Sequence, residues 1–122
     1  MNVQLCKSKI HKARITAADL HYEGSLAIDP NILEEVGMFP YEKILVVNAT
    51  NGERLETYAI PGERGSKVFC LNGAAAHKGN KGDTITIMSF GILSDIEAEN
   101  YKPKVIVLDE NNDIINRKGS LA

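Results

Sequence analysis

The dipeptide Asn51-Gly52 restricts the fold more than any other feature, because it stands between two runs rich in β-forming residues. Asn-Gly favours a type I′ turn, in which both central residues adopt positive φ. The run over residues 43–49 is therefore expected to pair antiparallel with the run over residues 53–60. A chain with such a hairpin in its middle is predicted to be mainly β-structure.

Short strand-like runs continue on both sides of this hairpin, over residues 3–15, 67–71, 84–90, 104–108 and 113–116. One short helix is predicted to start at Pro30, with Asp29 as its N-cap and Gly37 just past its end. A second is predicted from Ser94, by a capping-box pattern, to about residue 101. Six or seven short strands with two short helices predict a small closed β-barrel, in one domain over residues 1–122.

The first predicted strand carries charge in an unusual place. Most apolar residues between positions 3 and 15 fall on odd positions, and Lys7, Lys9 and His11 are expected to share their face because strand side chains alternate. Charged side chains on an inward face indicate a functional site or an open barrel rim. The alternative is that these three residues are solvated near a bend in the strand.

Composition excludes several classes of function. The 122 residues carry a net charge of -2, which argues against a general nucleic-acid or anionic-membrane binder. The apolar runs are too short to span a bilayer and the N-terminus has no signal-peptide core, so a cytoplasmic location is expected.

Cys6 and Cys70 fit no metal or redox spacing and are interpreted as inert thiols. Neither a P-loop, a GxGxxG motif nor a metal-ligand cluster occurs, so no metal and no pyridoxal phosphate is expected.

Gly24-Ser25 is the candidate reactive peptide. A serine that follows glycine in a tight turn can attack the preceding carbonyl. Elimination and hydrolysis of the resulting ester would turn the serine into a pyruvoyl group, an electron sink that serves amino-acid decarboxylation as pyridoxal phosphate does. By itself, however, Gly-Ser is usually only a turn.

Other side chains suit such a reaction. Arg54 and Lys9 are suited to binding the carboxylates of an acidic substrate. Tyr58 shares a strand face with Arg54 and could deliver a proton. The small residues over 72–76 would let a ligand approach the backbone closely. Each of these residues alone is more often a surface, core or turn residue.

Together these segments resemble the family of pyruvoyl-dependent aspartate decarboxylases, which make β-alanine for pantothenate synthesis. They run in the family's order over nearly the whole chain and are weakest in the last twenty residues. The segments are Lys9-x-His11, the stretch 16–29 around Tyr22-Glu-Gly24-Ser25, Asn51-Gly-x-Arg54-x-x-Thr57-Tyr58, Glu63-Arg-Gly-Ser66 and Asn72-Gly-Ala-Ala-Ala76.

The resemblance implies a double-psi β-barrel that cleaves itself between Gly24 and Ser25 into a β chain, 1–24, and an α chain, 25–122. It implies that Ser25 becomes the covalent pyruvoyl group, that Thr57 positions the scissile carbonyl and that Tyr58 is the proton donor. The residues implied in substrate binding are Lys9, Arg54, Thr57, Asn72, Gly73, Ala74, Ala75 and Ala76, with His11 and Tyr22 in support.

The same resemblance implies L-aspartate as the substrate, bound as a Schiff base, and a homotetramer with active sites between subunits. It leaves open whether maturation needs an accessory factor. Two other functions fit the sequence. One is an uncut, non-enzymic barrel that acts as a binding or assembly module. The other is a pyruvoyl decarboxylase for another amino acid, although Arg54 with Lys9 favours a dicarboxylic acid.

Overall fold

The computed structural model describes residues 1–119, which form a mainly β structure as predicted. Within this range the nine strands are β1 (Asn2–Arg14), β2 (Ala17–Asp19), β3 (Ser25–Ile28), β4 (Lys43–Asn48), β5 (Arg54–Pro61), β6 (Phe69–Asn72), β7 (Thr84–Ser94), β8 (Lys104–Leu108) and β9 (Ile114–Lys118). The sequence predicts only six or seven. The additional β2 and β3 have three and four residues, too few to show a periodicity.

The strands form one sheet in the order β2-β6-β3-β5-β4-β7-β1-β8-β9. Most neighbours are antiparallel, whereas β1 and β8, β2 and β6, and β3 and β5 run parallel. Aliphatic side chains from most strands, together with the fully buried Phe69, form the core. In the part of the chain that the structure describes, the sheet is not closed by hydrogen bonds between β2 and β9, but its arrangement fits a small β-barrel-like fold.

The central hairpin pairs as predicted, but its turn differs from the prediction. β4 and β5 are antiparallel, with Val47 opposite Arg54. The type I′ turn is wrong, because Gly52 has a φ of 79° whereas Asn51 is not among the residues with positive φ. The connection is longer: the N–H of Gly52 donates to the carbonyl of Asn48 at 2.9 Å.

β1 contains two β-bulges that change which side chains face the core. Its pairing with β7 shifts register at residues 6–8 and again at residues 10–13. Because each bulge inserts one extra residue, it interrupts the alternation of faces. Ser8 and Ile10 are consequently buried. The prediction that Lys7, Lys9 and His11 share the apolar face is wrong. These three side chains lie on the other face of β1 and are only partly buried.

Both predicted helices are present, as α1 (Pro30–Val36) and α2 (Asp95–Ala98), and a 3₁₀ helix covers Gly73–Lys78. Asp29 caps α1, and its carboxylate also accepts the N–H groups of Gly65 and Lys67, so it ties the helix to the loop before β6. Ser94 forms the predicted capping box of α2. No helix among residues 1–119 has the length and apolarity needed to cross a membrane.

Candidate active site

The Gly24–Ser25 peptide lies at the start of β3. Ser25 is buried, with 1% of its surface exposed. Its Oγ donates to the carbonyl of Glu23 at 3.3 Å and accepts from Nδ2 of Asn72 at 3.1 Å. Gly24 is exposed, and its ideal Cβ position has open space around it. The Ser25 hydroxyl is therefore held by two hydrogen bonds beside a glycine whose Cβ position is open.

Asn72 and Gly73 hold this peptide from the neighbouring strand. Asn72 ends β6, where it pairs with Ser25. Gly73 follows with a φ of 66°, and a Cβ there would lie 2.7 Å from the nitrogen of Gly24 and 2.8 Å from the carbonyl oxygen of Tyr22. The position thus requires glycine for its backbone conformation and for space. The backbone of Gly24 lies close to Gly73, while the close approach of a ligand to these small residues stays a prediction.

Thr57 lies on β5 and lines a cleft together with Gly24. β3 and β5 run parallel with Leu26 opposite Ala59, so Gly24 is level with Thr57. A cleft of about 300 Å³ opens between β5 and the 3₁₀ helix. It is lined by Gly24, Leu55, Glu56, Thr57, Ala74, Ala75 and Lys78. Ala76 does not line it among the described residues. We call Gly24, Ser25, Thr57, Asn72 and Gly73 the scissile corner.

Tyr58 projects from the opposite face of β5, because neighbouring side chains on a strand alternate. The register that places Leu26 opposite Ala59 sets Ser25 level with Tyr58 on the adjacent strand. The Tyr58 ring is partly buried, with its centroid 6.2 Å from that of Tyr41. Arg54 lies on the same face of β5 as Tyr58 and is exposed.

Lys9 and His11 lie on β1, far from the scissile corner along the sheet. Four strand spacings separate β1 from β3, roughly 19 Å at about 4.8 Å per spacing. Nδ1 of His11 is 3.2 Å from Oγ1 of Thr86. Burial lowers the pKa of His11, and nearby positive charges lower it further: those of Lys9, Lys12 and Lys118. We call the surface that carries Lys9, His11, Arg54 and Tyr58 the outer sheet face.

Comparison with known proteins identifies the family. The family model for aspartate decarboxylase matches residues 1–115. The chain belongs to the aspartate decarboxylase family. It is 52% identical over 113 residues to the aspartate 1-decarboxylase of Leptospira biflexa, which covers 92% of this chain and 96% of the relative. It is 54% identical over 112 residues to that of Thermoanaerobacter pseudethanolicus, with the same coverage. The aspartate 1-decarboxylase of Bacillus licheniformis is 54% identical over 110 residues, 90% of this chain and 87% of the relative.

In this family member the sequence-predicted residues divide into two groups. The scissile corner is brought together within one chain, whereas Lys9 and His11 are not brought to Ser25. Tyr22 is 57% exposed, and its carbonyl oxygen would lie 2.8 Å from a Cβ at Gly73.

Sequence reasoning missed two contacts at the scissile corner. The carbonyl of Glu23 accepts from Ser25, and the thiol of Cys70 donates to Oδ1 of Asn72 at 3.3 Å. The second had a signal in the sequence, since residues two apart on a strand share a face. The strand predicted over residues 67–71 ends one residue before Asn72, so it does not show that residues 70 and 72 share a face.

Proposed function

We propose that this aspartate decarboxylase family member converts L-aspartate to β-alanine and CO2 through a pyruvoyl group formed from its own Ser25. The family match over residues 1–115 supports the substrate and the reaction. The observation that carries the origin of the group is the buried Ser25 hydroxyl, which is hydrogen-bonded to Asn72 beside Gly24.

The maturation chemistry balances without an added reagent other than water. Ser25 Oγ bonds to the Gly24 carbonyl carbon, the amide bond breaks, and the hydroxyl proton ends on the Ser25 nitrogen. Loss of the Ser25 Cα proton then breaks the Cβ–Oγ bond, which releases a Gly24 carboxylate and leaves dehydroalanine. A proton equivalent to the one lost from Cα then adds at Cβ, which converts the enamine to an imine. Water replaces the imine nitrogen, which departs as ammonia and leaves the ketone of the pyruvoyl group. The products are chains 1–24 and 25–122.

The residues of the scissile corner fit this chemistry. Thr57 lines the cleft beside Gly24, where its hydroxyl can donate to the carbonyl oxygen as negative charge develops. Asn72 donates to Ser25 Oγ. The missing Cβ at Gly73 leaves room for the Gly24 turn, which a side chain would displace. The corner thus has room for the uncut Gly24–Ser25 peptide.

The outer sheet face suits the substrate. A pyruvoyl group supplies the electron sink for decarboxylation. Arg54 and Lys9 bind the substrate's carboxylates, because both carry fixed positive charge on partly or fully exposed side chains. Tyr58 donates a proton to the carbon that has lost CO2. Ala74 and Ala75 line the cleft beside Gly24, and His11, Tyr22 and Ala76 have supporting roles in this proposal.

A second copy of the chain completes the site in this proposal. Lys9 lies four strand spacings from Ser25 in its own chain. An outer sheet face brought from a neighbouring subunit would remove that separation. We therefore propose a homotetramer with shared sites, located in the cytoplasm and independent of metal.

Replacement of the nucleophile tests the proposal. The parent chain should yield two fragments on intact-mass measurement, with a carbonyl at residue 25 that hydroxylamine or borohydride traps. Ser25→Ala should remain one chain and be inactive, while the control Ser66→Ala, in an exposed loop, should behave as the parent. Two fragments from Ser25→Ala would contradict the proposal. An uncut, inactive parent would favour the binding or assembly module, and assays with aspartate, glutamate and histidine decide the substrate.

A further inference from the structure

The amide of Asn72 is held at both of its ends. Nδ2 donates to Ser25 Oγ at 3.1 Å, and Oδ1 accepts from Sγ of Cys70 at 3.3 Å. Cys70 and Asn72 are two residues apart on β6, so their side chains project from one face. The pairing of β6 with β3 sets Ser25 opposite Asn72. These three side chains therefore form one row of hydrogen bonds that ends at the scissile peptide.

The orientation of this amide matters, because its nitrogen donates and its oxygen accepts. During the proposed cleavage, Ser25 Oγ gains negative charge as it loses its proton and again as it leaves with the Gly24 carboxylate. A donor next to Oγ stabilises that charge, whereas an amide oxygen would repel it. Asn72 is productive only with Nδ2 toward Ser25.

We propose that Cys70 is a positioning residue for maturation, whose thiol proton holds Oδ1 of Asn72 and so keeps Nδ2 directed at Ser25. This rests on the proposed function, since it concerns cleavage at Gly24–Ser25. The thiol can donate only while protonated. Burial, and next the negative charge of Asp19, raises the pKa of Cys70 and keeps the proton on sulfur near neutral pH. The spacing of the two cysteines gives no hint of this role.

Two substitutions at Cys70 in the full-length chain test the inference, with the rate of appearance of fragment 25–122 measured by intact mass. Cys70→Ala removes the donor and should slow cleavage about threefold to tenfold, the range of one neutral hydrogen bond. Cys70→Ser restores a donor and should return the rate to within about twofold of the parent. Thermal unfolding, measured with each change in a Ser25→Ala background, should show all forms folded.

Cys6→Ala is the matched control, because Cys6 is also partly buried but its thiol points to the carbonyl of Ser8 on β1. It should leave the cleavage rate unchanged. A parental rate in Cys70→Ala would overturn the inference, and so would Cys70→Ser cleaving as slowly as Cys70→Ala. If the parent chain cleaves, either of these two results contradicts only the role of Cys70 and not the proposed function. A parent that never cleaves would overturn both.

Discussion

The scissile corner and the outer sheet face differ in how much of each one chain assembles. In the scissile corner, short strands and a 3₁₀ helix bring a nucleophile, a donor and a glycine into direct contact. On the outer sheet face, Lys9 and Arg54 are three strand spacings apart, about 14 Å along the sheet. The proposed cleavage would then depend on Thr57, Asn72 and Gly73 around Ser25, whereas binding and protonation of the substrate would depend on the outer sheet face, so substitutions should separate the two steps.

Tyr58→Phe should give the sharpest separation. The variant should cleave at the parental rate, because the Tyr58 hydroxyl has no part in the proposed acyl shift. Its kcat should fall at least about a hundredfold, the usual contribution of a positioned proton donor. Tyr41→Phe, which changes the neighbouring ring, should keep parental turnover. An unchanged kcat in Tyr58→Phe would show that Tyr58 is not the proton donor.

Gly73→Ala should instead slow cleavage, by about a hundredfold, because a displaced Gly24 turn misplaces the reacting atoms. The added Cβ would meet the backbone of Gly24 and Tyr22 at 2.7–2.8 Å. Gly52→Ala is the matched control, since Gly52 also has positive φ but open space around it. Equal cleavage rates in the two variants, followed by intact mass, would mean that the close approach is unimportant for maturation.

Arg54→Lys should produce a smaller change on the outer sheet face. It keeps the charge but loses the planar fork that binds a carboxylate through two hydrogen bonds. We expect KM for aspartate to rise about tenfold, with cleavage unaffected. Arg64→Lys, at the surface ion pair with Glu34, serves as control. Slower cleavage in Arg54→Lys would show that the two regions are not separable.

Asp29→Ala should affect neither region directly and should lower the free energy of unfolding by about 0.5–2 kcal/mol, the usual cost of replacing a helix N-cap by alanine. Burial alone raises the pKa of Asp29, but the N–H groups of Lys67, Asn31 and Gly65 together outweigh it, so the pKa lies below its ordinary value. The stabilisation of the fold by the Asp29 carboxylate is therefore complete above the ordinary pKa of aspartate, about 3.9. This stabilisation is lost as the pH falls through the lowered pKa of Asp29 in the folded protein. Denaturant unfolding of both proteins across this range should show the stability difference shrinking in acid; a constant difference would contradict the assignment.

The elements that the sequence predicts correctly have local causes. The cap at Asp29, the capping box at Ser94 and the pairing of β4 with β5 depend on residues close together in the chain. The bulges of β1 depend instead on its partner β7, and an uninterrupted alternation over residues 3–15 gives the wrong face for Lys9. Two-residue alternation cannot reveal where a strand will gain an extra residue.

In the candidate site, too, the sequence predicts the features that depend on neighbouring residues and misses those that depend on distant strands. Gly24-Ser25 stands out because its neighbours in sequence match a family pattern. The link from Cys70 through Asn72 to Ser25 depends on the register between β6 and β3, which are more than forty residues apart in sequence. A register of that range is fixed by packing across the sheet, so the sequence pattern along either strand alone does not contain it.

The position of β1 inside the sheet would determine what happens to the fragment that the proposed cleavage produces. β1 pairs with β7 on one side and with β8 on the other, so the proposed 24-residue fragment is held along most of its length without a covalent link. Unfolding of the cut protein would release two molecules, and its reassembly would become second-order in concentration. Maturation would thus convert a protein that refolds by itself into a peptide and an acceptor that must find each other, with dilution as a new way to inactivate it.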